Sequence, residues 1–230
     1  MATAMTSEGP RSAGRVFRGV ALAIPLLLVG WWLYNRPEPI ASRFDDALDR
    51  AVAPVMQQSE VQQKLGAMPS TQARLLAREL AERSVPYLGP RDLELWAATR
   101  LRAARASQPA CARFWKGGDD AFLRSAIAEL DAEALDAYTQ MLARALALRL
   151  EQKPQPSLVA GIIDRGFALI AEQLPPEARS QFQADAKRRD VDDARACELF
   201  LTLGSGAEKL EPTLRVAFYR ALAAALEVQP

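Results

Sequence analysis

Histidine is absent from the sequence. That removes the side chain that most often moves a proton near neutral pH, and the commonest nitrogen ligand of zinc. Ser-His and Cys-His nucleophile pairs and His-metal centres go with it. An excess of one charge is lacking too. The 230 residues hold 29 Lys and Arg against 28 Asp and Glu, a formal net charge of +1. A nucleic-acid partner would need surplus cations against its phosphates, so none is expected. Cysteine is scarce: there are two, far apart and without Cys-x-x-Cys spacing, which excludes a disulfide-dense miniprotein and a thioredoxin-type redox pair. No Gly-x-Gly-x-x-Gly, phosphate loop or zinc spacing occurs, so no cofactor and no metal are expected. Alternating Val/Ile/Thr runs of strand length are missing as well. Half of the residues are hydrophobic and a quarter are charged, which is globular composition.

One long stretch carries almost no charge. Gly19 to Tyr34 has none, and extending it back to Val16 adds only Arg18. Residues 16–34 are therefore read as a transmembrane helix, since about 20 apolar residues span a bilayer core. Arg15 and Arg18 mark one membrane interface, with Arg18 able to snorkel; Trp31, Trp32 and Tyr34 form an aromatic belt at the other. A cleaved signal peptide is the rival. It needs small residues after the run, where this chain has bulky aromatics and two prolines, so an uncleaved signal-anchor is expected. Arg11, Arg15 and Arg18 precede the run, which orients residues 1–15 as a cytoplasmic tail. The Ala-, Leu- and Arg-rich usage fits a bacterium. The expected placement is a single pass through the bacterial inner membrane, a linker at 35–41, and a periplasmic all-α domain over 42–230.

Within that domain apolar residues recur every three or four positions: Leu135, Tyr138, Leu142 and Leu146, or Val216, Tyr219, Leu222 and Leu226. Breaks are read at Gly66–Pro69, Pro86–Pro90, Ser107–Pro109, Gly117–Gly118, Lys153–Pro156, Pro175–Pro176 and Gly204–Gly206. They divide eight to ten helices. Four helix starts look alike, at Leu88, Leu130, Leu174 and Leu210. Each Leu is followed eight residues later by an aromatic: Trp96, Tyr138, Phe182 and Phe218. Leu88 to Leu174, Trp96 to Phe182, Cys111 to Cys197 and Phe114 to Phe200 are all 86 residues apart. Further on, Leu130 to Leu210 and Tyr138 to Phe218 are 80 apart. The expected fold is two related helical halves, 70–150 and 156–229, the second shortened by six residues near Gly204–Gly206. Leu-x-Pro is also a common helix start, which supplies a simpler account of the starts but not of the cysteine offset.

The cysteines share an Ala-Cys-x-x-Phe context at equivalent places in the halves, in a compartment expected to oxidise thiols, so a Cys111–Cys197 disulfide is expected, with two buried free thiols as the alternative. Acidic pairs at Asp45-Asp46, Asp119-Asp120 and Asp192-Asp193 raise glycoside hydrolysis, which needs two carboxylates. Helix capping is the stronger reading for the latter two. Arg100, Arg102, Arg105 and Lys187-Arg188-Arg189 read as solvated faces near helix ends. Trp96 and Trp115 are read as core, with a ligand pocket as the alternative. No catalytic residue is expected. The function expected is that of a membrane-anchored helical interaction or scaffold protein of the cell envelope, in an inhibitor- or immunity-like form, with an envelope protein as partner and the lipid bilayer holding 16–34. A carboxylate-dependent peptidoglycan hydrolase is the alternative.

Overall fold

The computed structural model describes residues 40–65, 68–117, 120–151, 153–186, 188 and 190–227. The expected tail (1–15), the expected transmembrane segment (16–34) and the expected interface residues Arg15, Arg18, Trp31, Trp32 and Tyr34 lie outside them, as does the expected linker (35–41) apart from residues 40 and 41. Those two belong to the first helix, so the helical domain starts two residues earlier than the Pro-containing linker predicts. Among the described residues no helix is long and apolar enough to cross a membrane.

Eleven α-helices and one 3-10 turn make up the described residues, without a strand. They are α1 (Ile40–Met56), α2 (Ser59–Leu65), α3 (Ser70–Arg83), the 3-10 turn (Val85–Tyr87), α4 (Pro90–Ala106), α5 (Gln108–Lys116), α6 (Asp120–Ala128), α7 (Ala132–Leu150), α8 (Ile162–Glu172), α9 (Pro176–Asp185), α10 (Asp193–Ala207) and α11 (Pro212–Glu227). The all-helical class is the one the periodicity predicts.

Local chemistry sets the boundaries. Pro90 and Pro176 open α4 and α9, where a missing N–H costs nothing. Pro109 stops α4 and α5 from being one helix, with Ser107 extended between them. Gly117 ends α5 at φ 72°, a conformation open to glycine, and its N–H donates to the Arg113 carbonyl. Carboxylates cap the later helices. Asp131 accepts from Ala134 N–H at 2.8 Å, Asp192 from Arg195 N–H at 2.8 Å, and Glu211 from Thr213 and Leu214 N–H at 3.0 Å.

One predicted break is absent. Gly204, Ser205 and Gly206 lie inside α10, and the chain turns only after Ala207. The glycines are there for packing. A Cβ at Gly204 would sit 2.6 Å from Leu101 Cδ1, and one at Gly206 2.5 Å from Ile170 Cγ2. Small residues let α10 approach α4 and α8 closely, which a turn signal in sequence does not distinguish from a loop.

The core runs through the unit. Phe44, Leu48 and Val52 of α1 pack with α7, whose Met141, Leu142 and Leu146 are fully buried. The 3-10 turn is held by α11: Arg220 donates to the Pro86 and Leu88 carbonyls at 3.2 and 2.9 Å. The most extensive helix contact joins α5 to α10. Buried Ala110 and Ala196 keep that interface thin.

Candidate functional site

At the α5–α10 contact the two Ala-Cys-x-x-Phe stretches meet like on like. The Cys111 and Cys197 sulfurs are at bonding distance, 2.04 Å, with Cα atoms 4.8 Å apart, inside the range a disulfide allows. One turn further along each helix, Phe114 and Phe200 stack with ring centroids 5.0 Å apart. The expected Cys111–Cys197 pair is thus formed, and it pins the two rings that follow it.

Those rings are one wall of a cavity of about 660 Å³. Six aromatic side chains line it: Trp96 from α4, Phe114 and Trp115 from α5, Phe167 from α8, Phe182 from α9 and Phe200 from α10. Five of them pack in ring pairs. Phe167 packs edge-on against Trp115 at 6.2 Å and stacks with Phe182 at 6.0 Å. Trp115 is satisfied in its buried place by donating from its indole nitrogen to the Arg188 carbonyl at 3.1 Å. Leu203, Leu222, Ile163 and small alanines add to the apolar lining, while among the described residues Arg100, Asp164 and Gln183 are its polar members. The volume and the few polar groups are those of a ligand pocket. Trp96 and Trp115 are therefore both core and pocket wall: each is about 5 % exposed and each faces the cavity.

Arg100 is the group that the solvated-face reading misplaces. It is half-buried, with its guanidinium carbon 5.0 Å from the Trp96 ring centre and 4.6 Å from that of Phe114. Its position on α4, one turn after Trp96, turns it inward along the same face. Among the described residues no carboxylate pairs with it. Arg102 and Arg105 behave as predicted at the surface, the first paired with Asp131 at 2.6 Å, the second reaching Ser205 Oγ.

Two further cavities adjoin. One of about 180 Å³ lies towards α11 and one of about 750 Å³ towards α1 and α3; Trp96 and Arg100 line all three. The carboxylates facing the largest are engaged: Asp45 with Arg78 at 3.0 Å, Glu79 with Arg83 at 2.9 Å, Glu82 with Arg124 at 2.8 Å. In the smallest, Glu94 is paired with Arg215 at 2.5 Å.

The acidic pairs fall to structural roles where they are described. Asp192 caps α10, and Asp193 binds Lys116 at 2.7 Å, whose ammonium holds its carboxyl below the ordinary range. Asp119 lies outside the described residues. Asp185, which the sequence does not single out, is almost fully buried. Hydrogen bonds from Gln181 and then Arg195 keep it below the ordinary carboxylate range. Of the basic cluster, Arg188 is described; it grips Asp190 at 3.0 Å and approaches Asp185 at 3.6 Å. Among the described residues, no group of three or more Cys, Asp or Glu is arranged to hold a metal ion. No protein family, curated protein or solved structure matches the chain.

Proposed function

We propose that the chain is a membrane-anchored interaction protein of a bacterial cell envelope. Residues 16–34 cross the inner membrane once, the N-terminus stays in the cytoplasm, and the helical unit stands in the periplasm. There it takes apolar side chains of an envelope partner into the aromatic cavity; an inhibitor of an envelope-acting effector, or an immunity protein against one, is the narrower form. The observation that carries this reading is the six-ring cavity with half-buried Arg100 among its described lining residues. Buried aromatic and arginine anchors are prominent among the few residues that carry most of the binding energy at protein interfaces. The anchor rests on the apolar run and its flanking arginines. Asp45, Glu79, Glu82 and Glu94 of the neighbouring cavities sit in ion pairs, which favours binding over hydrolysis through those carboxylates.

A duplicated architecture accompanies this function. Pro90 and Pro176 start α4 and α9 at the 86-residue separation of the cysteines, and α7 and α11 start 80 residues apart. The six-residue shortening of the second half is placed near Gly204–Gly206, which lie inside α10. Trp96, Tyr138, Phe182 and Phe218 are all buried, and Cys meets Cys and Phe meets Phe as a pseudo-twofold axis between the halves requires.

The test is crosslinking of the full-length protein in native membranes, followed by its purification and mass spectrometry, beside C-terminal reporter fusions. A defined envelope protein in the adduct and activity of a periplasmic reporter alone support the reading. A cytoplasmic reporter signal, or a chain whose mature N-terminus lies near Ser42, refutes the anchored topology.

A further inference from the structure

We infer that the aromatic cavity is a binding site for a small apolar acid: one carboxylate, held by Arg100, on an aromatic or acyl body that fills the space between Trp115, Phe167 and Phe182. This goes beyond a protein partner and does not depend on one.

Three observations converge on it. The cavity of about 660 Å³ lies within the range that encloses small organic ligands, and its walls are rings that bury apolar surface in rigid positions. Among the described residues Arg100 is the cation in that wall, and its guanidinium lies against Trp96 and Phe114. A guanidinium stacked on rings keeps its N–H donors at its edge, in the fork geometry that matches a carboxylate. Most of the cations around it are already engaged: Arg78, Arg83, Arg124 and Arg215 have carboxylate partners, whereas among the described residues Arg100 has none. An anion arriving there meets a half-buried positive charge in a largely apolar surround, where attraction is stronger than in water.

One group opposes. Asp164, exposed in the first turn of α8, is the carboxylate that lines the same cavity. It disfavours a second negative charge and so selects a monoanion whose apolar end lies towards α8.

The test is calorimetric titration of the full-length protein in lipid nanodiscs, with empty nanodiscs subtracted. The probes are naphthoate and decanoate, with naphthamide as the neutral aromatic control. At least one acid is expected to bind, and Arg100→Gln is expected to weaken it by about tenfold or more while leaving naphthamide unchanged. Ala168→Trp, which puts an indole into the cavity from an exposed position, is expected to abolish both acid and amide binding. Should Arg100→Gln lose the amide as well, the cavity itself has changed, and Asp164→Asn decides: it must tighten the acid relative to the amide. No heat from either acid, equal acid affinity in Arg100→Gln and the wild type, or an unchanged acid-to-amide ratio in Asp164→Asn overturns the inference. Partner capture at the same cavity is read separately, by crosslinking.

Discussion

Replacing both Cys111 and Cys197 by alanine removes a covalent link between α5 and α10 that closes a loop of 86 residues. In the chain-entropy account that loop restricts the unfolded chain by about 4.6 kcal/mol at 25 °C. For a unit of this size each kcal/mol moves the melting temperature by about 2–4 °C, so a fall of about 10–18 °C is expected. Cys111 has no exposed surface, so truncating it also leaves a small void, which adds to the loss. Thermal unfolding of the full-length protein, followed by circular dichroism with and without strong reductant, separates the two contributions. Oxidised wild type should melt highest. Reduced wild type should fall by most of the difference, and the double variant should be indifferent to reductant. The loss should register at the cavity, because Phe114 and Phe200 stack one turn beyond the bridge. A wild-type melting temperature unmoved by reductant, or two alkylatable thiols in protein purified from the oxidising side, would show that no such link holds α5 to α10.

Gly206→Ala tests the packing account of the α10 glycines. Helix propensity alone predicts a gain of about 1 kcal/mol. The added methyl would meet the γ-carbon of fully buried, β-branched Ile170 at 2.5 Å, so a net loss of about 1–2 kcal/mol by denaturant titration is expected instead. The depressed carboxyls of Asp131, Asp185, Asp193 and Glu211 bind fewer protons in the folded than in the unfolded chain between their folded and unfolded pKa values. Their contribution is complete above about pH 5 and is lost as pH falls through the folded values, so stability should drop below about pH 4, and less steeply in Asp185→Asn. Burial pushes the Tyr219 phenol up to about 12. The difference in tyrosinate absorbance between wild type and Tyr219→Phe should therefore appear near pH 12 rather than near pH 10; ionisation with the ordinary tyrosines would contradict its burial.

The helices were legible because their punctuation is local. Proline at 90, 109, 176 and 212, and capping carboxylates at 131 and 192, act within one turn of themselves. The cysteine pair was legible because two identical contexts recur at a fixed distance, and the structure brings those contexts face to face. The glycines of α10 misled because a glycine that lets a neighbouring helix approach is chemically identical to one that ends a helix. The cavity was half visible. Trp96 and Trp115 are noticeable in sequence, but Phe167, Phe182 and Phe200 reach them only through tertiary packing of α8, α9 and α10. Arg100 was missed for a related reason: Arg100, Arg102 and Arg105 read alike along the chain, and the helix rotation that turns only Arg100 onto two rings depends on Phe114, which arrives from a different helix.

Site-specific photocrosslinking from the cavity rim reads partner capture by the cavity itself. A photoreactive residue replaces exposed Gln183, which lines the cavity, or exposed Leu158, which does not, in full-length protein within native membranes. The account predicts one discrete adduct with an envelope protein from position 183, absent from position 158 and absent again when Ala168→Trp fills the cavity. Equal adducts from both positions, or an adduct at 183 that survives the filled cavity, would contradict it.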